Sequence, residues 1–320
     1  MSKDSRRISE ILKTKEKFII LPHVYIDGDD LGSMLALGRA IGKIGKSVLR
    51  FIPEPIPEIF TFLPDIEYIS HKAPPGSYDA AILLECTDLQ RLPAGVDIKK
   101  IAKTIINIDH HPDNKFYADF NWVDPGASAV AEMVYFLIKD MDVELDYEIA
   151  INLYTAILTD TGGFQYSNVT SRTHEVISQL LSIPIKTDEV YRKVYHEKSP
   201  NVLRLQGKVM ANLELSDEGK IAWSYITKDM LEQYAVDEGD TQNFVEEINQ
   251  IRGAQAVLFF KEIDAKKIKV SLRSSGVPVN KIAAFFGGGG HLRAAGCTVE
   301  APLEEAVKQV VSKTREYLNQ

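Results

Sequence analysis

The chain has 320 residues, 45% of them hydrophobic and 26% charged, with a formal net charge of −8. That length exceeds what one core ordinarily fills, so two domains are expected. The acidic balance excludes a broad basic surface for long nucleic acid, and two cysteines exclude a disulfide framework and point to a reducing, cytoplasmic setting. The charged stretch from Met1 to Lys17 is not expected to act as a signal peptide, and no apolar run approaches the roughly 20 residues that span a bilayer.

In chain order, residues 8–15 read as an amphipathic helix with Ile8, Ile11 and Leu12 on one face. Lys17–Leu21 is a buried strand that delivers His23 and then Asp27-Gly28-Asp29. In extended backbone Asp27 and Asp29 point to the same side. A helix opens at Gly32-Ser33 and runs to Lys43. Residues 48–52 form a strand, residues 58–62 a short helix, and Pro74-Pro75-Gly76 a turn. Ala80–Leu84 is a strand ending in Glu85-Cys86-Thr87-Asp88, and residues 104–108 form the strand that presents Asp109-His110-His111. Helices follow over residues 127–138, 147–158 and 173–181, the second ending at Asp160-Thr161-Gly162 and the third capped by Ser171. This alternation describes an α/β domain, residues 1–185, with a mostly parallel sheet and helices on both faces.

Residues 186–204 read as a connecting helix, and residues 205–320 as a smaller α+β domain. Its elements are a strand at Ile221–Ile226, a helix at 242–252, adjacent strands at 256–262 and 267–273, and a helix at 279–286. That helix stops at four glycines, Gly287 to Gly290, before a strand at 291–299 and a helix at Leu303–Leu318.

His23, Asp27, Asp29, Glu85, His110 and Asp160 thus stand at strand or helix ends of one sheet, where such sheets bind ligands. Alone, each has a plainer reading: a DxD is commonly a surface turn, and Asp160 a helix terminus. Together, four carboxylates and two imidazoles suit a pair of divalent cations, Mn²⁺ or Mg²⁺; without cations they would repel. Zinc with thiolates is disfavoured, because Cys86 and Cys297 fall in different expected domains. Two such ions clamp attacking and leaving oxygens and lower the pKa of water toward about 7, the chemistry of phosphoester hydrolysis. A second constellation is Gly288, Gly289 and Gly290 with His291 and Arg293, where the backbone can approach an anion. Arg273 and Ser274 end a nearby strand and add anion contacts. The glycine run does not open a helix after a strand, so it is neither a Walker loop nor a dinucleotide fingerprint.

The pattern His23-x-x-x-Asp27-x-Asp29, the triplet Asp109-His110-His111 and Asp160-Thr161-Gly162 resemble the DHH phosphoesterase family. Residues 287–296, GGGGHLRAAG, resemble the signature of its associated substrate-binding domain. Length and domain order are similar to the oligoribonuclease (nano-RNase) and pAp phosphatase branch. The resemblance implies two Mn²⁺, with Mg²⁺ as the alternative: one held by His23, Asp27 and Glu85, the other by Asp29, a bridging Glu85, His110 and Asp160. It implies that His111 faces the phosphate, that Asp109 orients a neighbouring imidazole, and that a hydroxide between the ions attacks phosphorus. Arg273, Ser274, the glycine run, His291 and Arg293 would hold the nucleotide. The implied substrates are short RNA or DNA oligonucleotides, dinucleotides and pAp, without long duplexes or membranes; a homodimer is compatible. Three positions depart from the family pattern: Glu85 replaces Asp, Gln165 stands where Arg is common, and Leu292 replaces a common Pro. Glutamate is one methylene longer, so bridging from residue 85 requires a shifted backbone, or Asp88 takes its place. Two other functions fit the residues: a cyclic or linear dinucleotide phosphodiesterase, and a nucleotide-binding regulator whose centre has decayed at Glu85.

Overall fold

One sheet is wholly parallel, with strand order β3 (Ile69–Ser70), β2 (Ser47–Phe51), β1 (Lys17–Leu21), β4 (Ala80–Leu84), β5 (Ile105–Asp109) and β6 (Phe120–Val123). The structure, a computed structural model, describes residues 3–24, 26–72, 76–93, 95–216, 218–241 and 243–319. Pro74 and Pro75 of the expected turn, and Gln242 at the expected start of a helix, lie outside the described residues. The chain falls into two compact units, Met1–Glu197 and Lys198–Gln320.

In the first unit the side chains of the central strands divide between two apolar layers. Phe18, Ile20, Ile82, Leu84, Ile106 and Ile108 face one core; Ile19, Leu21, Ala81, Leu83 and Ile105 face the other. The two faces are covered unequally. The first carries α1 (Lys3–Thr14), α2 (Gly28–Lys43), α4 (Val130–Asp140), α5 (Tyr147–Asp160) and α6 (Ser171–Leu180). The second is covered by Leu92, by α3 (Ile98–Ile101) and by intervening loops. From β1 the chain crosses to β2 and β3 on one side, then returns to place β4 on the other side of β1. The carboxyl ends of β1 and β4 therefore border the crevice where parallel sheets of this kind bind ligands.

Helices α2 and α5 pack closely because glycines face α5. A Cβ at Gly28 would lie 2.3 Å from Thr159 Oγ1, and one at Gly32 would lie 2.4 Å from the Asn152 carbonyl oxygen. The second obstacle is backbone and cannot swing aside. Gly32→Ala is therefore expected to lower stability by about 1–3 kcal/mol through overpacking, measured by denaturant unfolding; an unchanged midpoint would show that the two helices part without cost.

The other unit holds a mixed sheet in the order β11 (Gly289–Gly290), β12 (Ala294–Val299), β10 (Lys267–Ser274), β9 (Ala256–Asp264), β8 (Ile221–Ile226) and β7 (Glu214–Ser216). Only β8 and β9 pair in parallel. Helix α12 (Leu303–Leu318) packs Ala306 and Val310 on one face, while α8 (Pro200–Ala211) and α10 (Phe244–Ile248) cover the other with Leu205, Val209, Phe244 and Ile248.

Several elements differ from expectation. The segment expected to connect the domains divides into α7 (Thr187–Tyr191), a π turn at Arg192–His196, and α8. Helix α8 starts where Ser199 accepts from the Val202 N–H at 3.2 Å and Pro200 occupies the first turn. Helix α6 is capped by Thr170 rather than Ser171, with Thr170 and Thr173 forming a reciprocal capping box. The last strand begins at Ala294, not His291, because Gly289 and Gly290 form a hairpin arm that pairs with Gly296 and Ala295.

Candidate metal centre and phosphate-binding turn

The first helix after β1 begins at Gly28, four residues earlier than expected. Asp27 is its N-cap: Oδ1 accepts from the Asp29 and Asp30 N–H groups at 3.0 and 3.1 Å. Asp27 and Asp29 are therefore not alternate residues of an extended segment. Asp29 lies in the first turn of α2, and its carboxylate reaches the start of α4. It accepts from the Val130 N–H at 2.5 Å, the Ala131 N–H at 2.9 Å and the Ser33 hydroxyl at 3.0 Å. These donors fix its orientation and place negative charge at a helix N-terminus.

The residue after this pattern, Asp30, escaped the sequence reasoning. It is fully buried, and its Oδ2 lies 3.1 Å from His23 Nε2. The Asp-Gly-Asp-Asp run was the available signal. Burial, with Arg91 and His111 nearby, holds the His23 ring down to about 3, so it is a neutral lone-pair donor at neutral pH.

Glu85 follows the end of β4 with φ at +50°, a left-handed conformation unusual for a residue with a side chain. The neighbourhood enforces it. The Glu85 N–H donates to the Ile108 carbonyl at 3.1 Å, and the Cys86 carbonyl accepts from Asn107 Nδ2 at 3.0 Å and Tyr117 Oη at 2.7 Å. The carboxylate is 2% exposed. Its ligand atom lies within 4.8 Å of those of Asp29 and His110, and it also closes a group within 4.8 Å with His23 and Asp30. Asp88, the alternative to Glu85, instead caps a short helical turn, accepting from the Gln90 N–H at 2.9 Å.

Strand β5 ends at Asp109, which is fully buried. Its Oδ1 faces the His111 N–H at 3.0 Å and His111 Nδ1 at 2.8 Å; its Oδ2 accepts from Asn114 Nδ2 at 2.5 Å. Burial alone would raise this carboxyl, but the bonds from His111 and Asn114 outweigh it and hold Asp109 below the ordinary value. An ionised Asp109 only accepts, so His111 Nδ1 carries the proton. His110 turns Nδ1 to the Ala127 carbonyl at 3.1 Å; the carbonyl only accepts, so Nδ1 carries the donated hydrogen and Nε2 is the lone-pair atom, 3.7 Å from Asp160 Oδ2. Asp160 closes α5, and Asn168 Nδ2 spans the Asp160 and Ser128 carbonyls at 3.1 and 2.8 Å. Glu132, fully buried, braces the same segment through Ser128 Oγ at 2.8 Å, Thr173 Oγ1 at 3.1 Å and a short contact with Arg172.

The donor set fits divalent cations. Asp27, Asp30, Glu85 and Asp160 are all held above ordinary carboxyl values, by burial first and then by the charge of neighbouring carboxylates, Asp29 among them in each case. Glu85 Oε1 and Asp30 Oδ1 accept no hydrogen bond among the described residues. Both cysteines are buried and free, and burial pushes each thiol up to about 11, so neither supplies a thiolate.

In the other unit, Gly287 (φ +75°) closes α11 (Val279–Phe285), with N–H bonds from Gly287 and Gly288 back to Ala284 and Ala283. A Cβ at Gly288 would meet the Gly296 carbonyl at 2.1 Å. Gly289, Gly290, Leu292 and Arg293 are exposed on the turn, and His291 is half-buried there with its N–H bonded to the Ala294 carbonyl. Arg273 and Ser274 are committed within the unit. Arg273 Nε donates to Glu246 Oε1 at 2.5 Å; Ser274 Oγ donates to the Gln255 carbonyl at 2.7 Å, and the Ser274 N–H bonds the Arg293 carbonyl at 3.0 Å. Of the two, Ser274 joins its strand to the turn, through its backbone N–H.

Residues 17–157 match the DHH family, N-terminal domain, and residues 218–320 match the DHHA1 domain. The bifunctional oligoribonuclease and PAP phosphatase NrnA of Thermus thermophilus is 34% identical across 98% of this chain and 94% of its own length. The NrnA of Bacillus subtilis is 30% identical across 91% and 93%. The crystal structure of an exopolyphosphatase-related protein from Bacteroides fragilis aligns with a TM-score of 0.90 at 30% identity, covering 99% of this chain and 98% of that one. Fold and relatives together define a hydrolase of phosphate esters. The chain belongs to the DHH family, with a DHHA1 domain after the DHH domain. No helix among the described residues is long and apolar enough to cross a membrane.

Proposed function

We propose that this protein cleaves very short oligonucleotides to mononucleotides and removes a phosphate from pAp, using two divalent cations. The observation that carries the reading is a pair of buried ligand groups, His23–Asp30–Glu85 and Asp29–Glu85–His110, which share Glu85 at the carboxyl ends of a parallel sheet. The names of the relatives that align along nearly the whole chain supply the substrate class.

His23, Asp27, Asp29, Glu85, His110 and Asp160 would hold the cations, with Glu85 shared because it belongs to both ligand groups. When bound, the ions offset phosphate charge and make water a nucleophile near neutral pH. Asp109 holds the His111 ring by Nδ1, so that Nε2 would meet the phosphate and, as general acid, give a proton to the leaving oxygen. Ala127 and Asn168 keep His110 and Asp160 in register. The Gly288-Gly289-Gly290 backbone with His291 and Arg293 would take a phosphate of the nucleotide, with Arg273 and Ser274 adding anion contacts. The segments on either side of the linker would act as a catalytic domain over residues 1–185 and a substrate domain over residues 205–320.

The test is release of AMP from pApA and from pAp by purified protein in Mn²⁺, comparing wild type with Glu85→Asp. Turnover of both substrates by wild type is expected. Silence from wild type with recovery in Glu85→Asp would place the defect at residue 85. Silence from both, with nucleotide still bound, would favour the non-catalytic alternative. Cyclic dinucleotides run in parallel separate the dinucleotide phosphodiesterase reading.

A further inference from the structure

We infer that Asp30 is a further metal ligand, joining His23 and Glu85 at the first cation's site. The inference rests on the two-cation reading above and deepens it. Three atoms, one from each residue, lie within 4.8 Å of one another, and all three residues are buried. Around an octahedral ion with bonds of about 2.1 Å, neighbouring ligand atoms stand about 3.0 Å apart and opposite ones about 4.2 Å. The 3.1 Å between His23 Nε2 and Asp30 Oδ2 is the spacing of neighbouring ligands.

A second observation points to a ligand. Asp30 is 0% exposed and Glu85 2%, yet Asp30 Oδ1 and Glu85 Oε1 accept no hydrogen bond among the described residues. Buried carboxylate oxygens are ordinarily satisfied, because leaving one bare costs the desolvation of a charged group. The neighbouring carboxylates behave differently. Asp27 uses Oδ1 to cap α2, and Asp29 accepts three hydrogen bonds. Asp30, one residue further along the first turn of α2, is directed at His23 instead. The left-handed backbone at Glu85 brings the longer carboxylate into the same group. Asp30 would then add a negative charge at that ion, and Glu85, which also groups with Asp29 and His110, would reach the second.

The experiment is titration of Mn²⁺ into the metal-free full chain, followed by calorimetry and by the electron paramagnetic resonance signal of free Mn²⁺, for wild type, Asp30→Asn and Asp30→Ala. Circular dichroism checks that each variant is folded; Asp30→Ala leaves no polar atom to bury. Wild type is expected to take up two ions. Each variant is expected to keep one at wild-type affinity and to bind the other about 100-fold more weakly, since losing even an outer partner of a ligand commonly costs about 10–100-fold. Two ions at unchanged affinity in a folded Asp30 variant would overturn the role of Asp30 and leave the metal reading standing. A wild-type chain that takes up no Mn²⁺ would overturn the metal reading, and this inference with it.

Discussion

Asp109→Asn is expected to cut kcat about 10³–10⁴-fold with little change in KM, as measured by initial rates on pApA in Mn²⁺. The substitution keeps the shape of the side chain but turns one acceptor oxygen into an N–H donor. Asp109 meets donors at both oxygens, from His111 and from Asn114. An amide there must oppose one donor with another, and the His111 ring loses its charged partner. The comparable loss of an orienting carboxylate beside a catalytic histidine costs about 10⁴-fold in serine proteases. Stability is expected to fall by only about 1–3 kcal/mol, the cost of one buried donor left unpaired, so folded and inactive protein can be told apart from unfolded protein. Activity within tenfold of wild type would remove Asp109 and His111 from the proposed chemistry.

In EDTA, the melting temperature is expected to fall as pH rises from about 5 to 8, and Mn²⁺ is expected to abolish or reverse that fall. Asp27, Asp30, Glu85 and Asp160 have folded-state pKa values above their ordinary ones, chiefly from burial and then from neighbouring carboxylates, Asp29 included. Between the unfolded carboxylate range near 4 and those raised values, the native state binds more protons than the unfolded chain at these four groups. His23, held down to about 3, works the other way by one proton below about pH 6.5, so the fall is steepest above that pH. Stability therefore decreases with rising pH across that window. Below about pH 4 both states are protonated at these groups and the penalty is absent; above the folded values it is fully present. A divalent cation replaces the protons as the neutralising charge and binds only the folded arrangement, adding stability by mass action. Thermal melts at pH 5 and 8, each with EDTA and with Mn²⁺, measure the effect. An EDTA melting temperature that climbs over this range, with no gain from Mn²⁺, would contradict it.

Much of this centre was legible in the sequence, for physical reasons that differ by residue. Lys17–Leu21 and Ala80–Leu84 are apolar on both faces and bounded by polar ends, so strand and exit were both readable. His110 stood out because it follows the apolar run of β5, and Asp160 because the periodic pattern of α5 ends at it. The start of α2 was misplaced because Gly28 and Gly32 lower helix propensity locally; tertiary contact with α5 overrides that, and the Asp27 cap was the signal to weigh. Asp30 was passed over because a third carboxylate beside a DxD reads as solvated charge. Only the chain partners brought from elsewhere show it to be buried. The left-handed Glu85 depends on Asn107, Ile108 and Tyr117, residues with no local relation to it. The edge strands β3 and β6 are short and weakly patterned, which is common at sheet margins. Of the glycine run, only Gly289 lacks both a positive φ and a close neighbour, so most of that signature is explained by the hairpin it builds.

The strand order has a consequence for how the centre comes into being. His23 follows the first strand, Glu85 the fourth and His110 the fifth, while Asp160 waits at the end of α5. Parallel neighbours are joined only through crossovers, and such distant pairings form late because chain closure is costly before they are rewarded. The His23–Asp30–Glu85 group requires β1 and β4 to have paired, and the Asp29–Glu85–His110 group requires β5 as well. The centre is thus assembled by topology alone, and a cation arriving afterwards acts as a latch on a finished fold, slowing its opening rather than speeding its formation.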